Sequence, residues 1–274
     1  MVVFPGGSDA NARMFPLGGP IFPTDEPSLI AAIGEGLSPL GLGAACVSLE
    51  GALPALGALK CDLSGAVFQS SHRAAKAAGE NVPGFFSRRA EASCKNGRFE
   101  GMAFTASLKI DDAVFGYGRD GSGDAVLVLE RCAAGVLELE ISRADVEKAL
   151  FSVVAKAAEE HGAEVKGVVV SWEQSGPKAL ALRVDVRAKA MFVETRVTAN
   201  GRVEITEALD AVVSGLSCTG DGMMGSLAAS FLKKEIPRFE GRSISLGGAF
   251  GGGLRLKEVS LQCGPNSLRV RATA

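Results

Sequence analysis

The residues most able to do chemistry are a glycine motif, two histidines, paired carboxylates and six cysteines. Gly116-Tyr117-Gly118-Arg119-Asp120-Gly121 has G-x-G-x-x-G spacing, which in a dinucleotide fold lets a pyrophosphate approach a helix N-terminus. Here it runs into Asp124 and the apolar stretch Ala125 to Leu129, a strand pattern rather than a helix, so it reads as a hairpin loop. Gly247 to Gly253 lacks the Gly-Lys-Ser/Thr ending of a phosphate loop and reads as a flexible connection or lip. His72 lies in a polar connector beside Ser70 and Ser71, and His161 follows a helical pattern, where imidazolium complements the dipole. Neither has a nucleophile motif beside it, and G-x-S-x-G is absent. Asp111-Asp112 and Glu159-Glu160 point to different sides of their elements or to a solvated face, which gives no general acid/base pair. The expectation is a chain that is not an enzyme and uses no cofactor.

Cys46, Cys61, Cys94, Cys132, Cys218 and Cys263 form no C-x-x-C pair. Zinc spacing is missing, so no metal is expected. They read as small buried hydrophobes or as disulfides whose pairing the sequence does not assign. A formal charge of −2, with Lys and Arg interspersed among Asp and Glu, leaves no basic stripe for nucleic acid. With 14 Phe but one Trp and one Tyr, apolar volume comes from Phe, Leu, Val and Met, and aromatic platforms for bases or sugars are scarce. The longest apolar runs fall far short of the roughly 20 residues that span a bilayer. Residues 1–23 are rich in Gly and Pro, without a basic segment leading into a continuous apolar one, and read as an extension instead of an intact signal peptide. Residues 24–274 read as one elongated domain with halves 24–141 and 142–274.

The elements that must position any site are clearest in the second half. Ser142 with Asp145 three residues on forms a capping box, and Gly162 ends the pattern. Between them Val146, Leu150, Val153, Val154 and Ala157 recur at helical spacing. From Lys178 to Ala188 the period becomes two, with Leu180, Leu182, Val184 and Val186 alternating with Arg183, Asp185 and Arg187, as on a half-buried strand. Val165 to Trp172 and Met191 to Val197 flank it, and Asn200-Gly201 predicts a hairpin turn into Arg202 to Val213. Asp221 opens a second helix with Met223, Met224, Leu227, Ala228, Phe231 and Leu232, ended by Pro237, and two strands follow from Leu254 to Ala272. In the first half, Pro27 opens a short helix carrying Leu29, Ile30, Ile33 and Leu37. Strands follow near Ala44 to Leu49 and Leu59 to Phe68, then a connector from Ser70 to Gly84. Arg89 to Cys94 and Arg98 to Ile110 flank a predicted Asn96-Gly97 hairpin turn.

Ile141-Ser142-Arg143-Ala144-Asp145-Val146, Phe231-Leu232-Lys233-Lys234-Glu235-Ile236-Pro237 and Leu254-Arg255-Leu256-Lys257-Glu258-Val259, in this order, resemble the LmeA-type phospholipid-binding family of the tubular lipid-binding (TULIP) superfamily. Val47-Ser48-Leu49-Glu50-Gly51 and Asp62-Leu63-Ser64-Gly65 are similar to its N-terminal strands. The resemblance implies an α+β fold, long amphipathic helices wrapped by a strongly bent antiparallel sheet, with lipid in the groove and a cell-envelope or plastid setting. Candidate lining residues are Val146, Leu150, Val153, Val154, Leu180, Leu182, Val184, Met223, Met224, Leu227 and Phe231. Lys233, Lys234, Arg238 and Arg242 are candidates for a lipid headgroup or an anionic membrane surface. The alternative is a structural or interaction subunit with a packed core, docking by a strand edge or by Phe85-Phe86.

Overall fold

The computed structural model describes residues 13–69, 75–76, 81–99, 101–159, 162–190, 193–238, 240–245 and 256–274. They divide into two compact units: residues 1–139 with 245–259 and 271–274, and residues 140–244 with 260–270. The chain contributes β1 (Arg13–Pro16), α1 (Glu26–Leu37), β2 (Val47–Ala52), β3 (Ala55–Asp62), β4 (Val67–Phe68), β5 (Ala75–Lys76), β6 (Val82–Phe99), β7 (Met102–Arg119), β8 (Ala125–Arg131) and β9 (Ala134–Ser142). There follow α2 (Arg143–Glu159), β10 (Ala163–Gly176), β11 (Ala179–Ala190), β12 (Val193–Ile205), β13 (Asp210–Gly220), α3 (Gly222–Glu235), β14 (Ser243–Ser245), β15 (Glu258–Cys263) and β16 (Ser267–Thr273). Among the described residues the strands form an eleven-stranded sheet with the path β15-β16-β9-β7-β6-β3-β2 and a five-stranded sheet in the order β10-β11-β12-β13-β14.

This corrects the expected fold class. Strands dominate, the three α-helices have 12, 17 and 14 residues, and two sheets replace one sheet bent around long helices. The expectation went astray because both Asn-Gly dipeptides were read as strand ends, which halves the strands. Asn96 adopts φ 54° inside β6, and the ladder to β7 shifts register between Cys94 and Gly97. The pair is therefore a bulge in an 18-residue strand, and the chain reverses at Gly101, φ 83°. Gly97 is required by close packing: a Cβ there would collide with Cys94 Sγ and lie 2.8 Å from Phe104 Cζ. Asn200-Gly201 likewise lies within β12, at a register shift against β13, and the turn comes at Thr206 to Leu209.

In the first unit α1 begins at Asp25, whose carboxylate accepts the Ser28 N–H at 2.9 Å. Its Leu29, Ile33 and Leu37 are almost fully buried against Leu56, Leu59, Phe85, Ile110, Phe115 and Tyr117. Phe85 and Phe115 pack with ring centroids 4.9 Å apart. Part of the expected extension is structural here, since β1 pairs with β8, Phe15 opposite Leu127. The G-x-G-x-x-G segment is the end of β7 and its turn into β8, where the Asp120 carboxylate accepts the N–H groups of Ser122 and Asp124.

Candidate functional site

The second unit is organised by strand alternation. Val168, Val186, Val197 and Gly220 stand opposite one another across four strands, and so do Val170, Val184, Ala199 and Cys218 two residues along. Both rows therefore share one face. The row between them, Val169, Asp185, Thr198 and Thr219, faces the other way, as does Ser171, Arg183, Asn200 and Ser217. The face with the two valine rows is apolar and the opposite face is mainly polar, as the reading of Lys178 to Ala188 anticipated.

Helix α2 lies on the apolar face. Half of the expected capping box is present: the Asp145 N–H donates to Ser142 Oγ at 3.1 Å, while the Asp145 carboxylate accepts from the Ser142 hydroxyl instead of its backbone N–H. Val146, Leu150, Val154, Ala155 and Ala158 pack over Val165, Val168, Val170 and Trp172 of β10, against which Leu182, Val184 and Val186 of β11 also pack. No α2 residue is fully buried. Helix α3 covers the same face further along, where Ala229 packs with Val197 and Cys218. Trp172 anchors the far end: its indole Nε1–H donates to the Gly264 carbonyl at 2.9 Å, and the Arg143 guanidinium stands 5.5 Å from its ring centroid. The N–H of Val170 on edge strand β10 donates to Glu147 Oε1 at 2.9 Å, so α2 also caps that edge.

The candidate lining residues separate accordingly. Val146, Leu150, Val154, Leu182 and Val184 come together in the half-buried layer under α2, and Leu180 is buried. Val153 is 68% exposed and Met223 85% exposed, so neither lines that layer. The side chains of Met224, Leu227 and Phe231 lie outside the described residues, as do those of Lys234 and Arg238. Lys233 and Arg242 are exposed, but the intervening Glu240 carboxylate accepts the N–H groups of Gly215 and Leu216 at 2.8 and 2.9 Å, so the end of α3 is not purely basic. The same layer also holds Val186 of β11 and Val168, Val170 and Trp172 of β10, which the ladder pairs with Val186, Val184 and Leu182.

On the polar face, Asp185 accepts Arg183 Nε and Nη2 at 3.0 and 3.2 Å, Arg196 Nε at 3.1 Å and Thr198 Oγ1 at 2.5 Å. The Arg183 hydrogen bonds, joined by those of Thr198 and Arg196, hold its carboxyl well below the usual carboxylate range. With its acceptor sites filled by side chains of the same sheet, Asp185 braces strands and is unsuited to act as a base.

His72, His161, Glu160 and the Gly247 to Gly253 loop lie outside the described residues. Among the described residues no three of His, Cys, Asp and Glu cluster as metal ligands, and no helix is long and apolar enough to cross a membrane. In the first unit an open cavity of about 370 Å³ is lined by Cys46, Val47, Cys61, Asp62, Ala92 and Leu108, among others. None of the described cysteines is in a disulfide. Comparison with protein-family models, with curated proteins and with solved structures finds no match for this chain.

Proposed function

We propose that the second unit binds an acyl-chain lipid in the apolar layer between α2 and strands β10 and β11, by burial alone and without catalysis. The observation that carries the reading is the incomplete closure of this layer. A helix laid on a sheet ordinarily buries its facing stripe, yet Val146, Leu150 and Val154 stay partly exposed where they pack on β10, and so do Leu182, Val184 and Val186 of the neighbouring β11. Each methylene of an acyl chain moved from water into this layer gains roughly 0.8 kcal/mol. The reading keeps the ligand class that the family resemblance implied, without its fold. Lys233 and Arg242 remain candidates for meeting a headgroup or an anionic membrane surface.

Native mass spectrometry of gently purified full chain tests it. Co-purifying lipid is the expected result, and displacement of a bound fluorescent fatty acid by phospholipid should follow. A chain that carries no lipid and takes up no acyl probe refutes the reading. The buried apolar core under α1 in the first unit, with Phe86 exposed on its surface, favours a docking role for that unit. Chemical cross-linking to a partner that is lost on Phe86→Glu is the corresponding result.

A further inference from the structure

The six cysteines are spread over the sequence, but the first unit brings two of them together at the rim of its cavity. Val47 and Cys61 are opposite residues of the β2–β3 ladder, so their side chains share a face, and that face is the core side, where Val47 is buried. Cys46 immediately precedes Val47 and closes the short 3₁₀ turn Ala44–Cys46. It is therefore not bound by strand alternation, and it packs against the same core cluster as Cys61 while lining the same cavity. Strand spacing and rise place a residue one step along from a facing pair about 6 Å away, within the Cα range of roughly 4.4–6.8 Å that a disulfide spans.

We propose that Cys46 and Cys61 form a reversible disulfide at the cavity rim, made at the expense of a small-molecule disulfide such as glutathione disulfide. Cys46, the more accessible to an oxidant by its place on the turn, attacks one sulfur of the oxidant, loses its proton to solvent and releases one molecule of reduced thiol. The Cys61 thiol then loses its proton, attacks the Cys46 sulfur of the mixed disulfide and expels the second thiol. The protein loses two protons and two electrons, and the oxidant disulfide takes up the same to become two thiols. Burial, and after it the neighbouring Cys46 thiol, pushes the Cys61 thiol up to about 12, which fits Cys46 as the attacking thiol and Cys61 as the second. Cys94 is committed elsewhere, its Sγ lying 3.1 Å from the Leu63 carbonyl. This site is independent of the lipid reading, which concerns the other unit.

The full chain is incubated with glutathione disulfide, its remaining thiols are alkylated, and the protein is digested without reductant. The expected result is an intact mass lower by two hydrogens, a linked peptide joining Cys46 to Cys61, and return of both free peptides with dithiothreitol. Cys46→Ser and Cys61→Ser should each lose the link, and Cys132→Ser should keep it. Recovery of both peptides only as alkylated or singly glutathionylated species overturns the proposal, as does a link from either cysteine to any other. The peptide map of the unsubstituted chain decides this even if a serine variant fails to fold.

Discussion

Replacing Leu150 by Ala separates a ligand layer from an ordinary core. Leu150 packs over the β10–β11 valines and stays partly exposed, whereas Leu29 of α1 is 0% exposed. Leu→Ala removes three carbons, worth about 2.4 kcal/mol if fully buried at roughly 0.8 kcal/mol each. At a half-buried site the loss is about 1.2 kcal/mol. If an acyl chain contacts the same surface, its affinity should fall about sevenfold, since 1.4 kcal/mol corresponds to about tenfold. Leu29→Ala should instead cost about 3–5 kcal/mol of stability, with the cavity adding to the transfer loss, and leave acyl affinity nearly unchanged. Displacement of cis-parinaric acid measures the first quantity and urea denaturation the second. Leu182→Ala, from the facing strand, should repeat the Leu150 result. If Leu150→Ala destabilises as strongly as Leu29→Ala, the layer is packed core. If it lowers neither stability nor affinity, the side chain contacts nothing that matters, and the lipid reading fails at this position.

Three further substitutions test the framework. Gly97→Ala should cost about 1–3 kcal/mol through overpacking against Cys94 and Phe104, and Phe104→Leu should relieve part of it in a double-mutant cycle measured by denaturation. Asp185→Asn should cost about 1–2 kcal/mol at pH 7, because its arginine partners are about half exposed and solvent screens the pairs. The folded carboxyl titrates below its ordinary value, so its contribution is complete above about pH 4 and declines as pH falls further. The gap between Asp185→Asn and wild type should therefore narrow below pH 4 in urea titrations, and a gap that widens contradicts the geometry. Glu147→Ala should leave the Val170 N–H without its acceptor, costing about 1 kcal/mol and speeding hydrogen exchange at that amide selectively.

Local signals in the sequence were legible where one residue decides one geometry. The Ser142 N-cap, the α1 start around Pro27 and the alternation through β11 are where residue types place them, whereas Gly116 to Arg119 of the expected hairpin loop belong to β7 and the chain turns only from Asp120. Asn-Gly misled because positive φ serves a bulge as well as a turn, and only the partner strand decides which. At Asn96 the strand continues because Gly97 lets Phe104 close over it, a contact between residues that the sequence does not pair. The candidate layer was half legible for a related reason. Period two identified Leu182 and Val184, but their neighbours Val168 and Val170 follow from register, and helical spacing alone selected Val153, which the observed helix turns to solvent.

The three helices explain why one layer closes incompletely. In α1, a Cβ on Gly34 would collide with the backbone of Ala44, and one on Gly36 with the Pro16 carbonyl, so these glycines let other backbone approach and the apolar stripe sinks fully into the core. Near α3, Gly220 and Gly225 do the same, since a Cβ on Gly220 would collide with the Gly225 carbonyl, and Ala229 is buried. Helix α2 contains no glycine and carries Glu147, Lys148 and Lys156 along a stripe of Val, Leu and Ala. Its distance from the sheet is set by side chains, and the longest on the facing stripe is Leu150. A closed interface of this kind needs either smaller residues, to bring the backbones together, or larger ones, to fill the gap. With neither, Leu182, Val184 and Val186 of β11 keep residual exposure although Val168 and Val170 of β10 are buried, and a flexible apolar chain is a shape that could cover them. Converting Ala155 and Ala158 to leucine tests this directly, because filling the gap should raise stability while weakening acyl uptake.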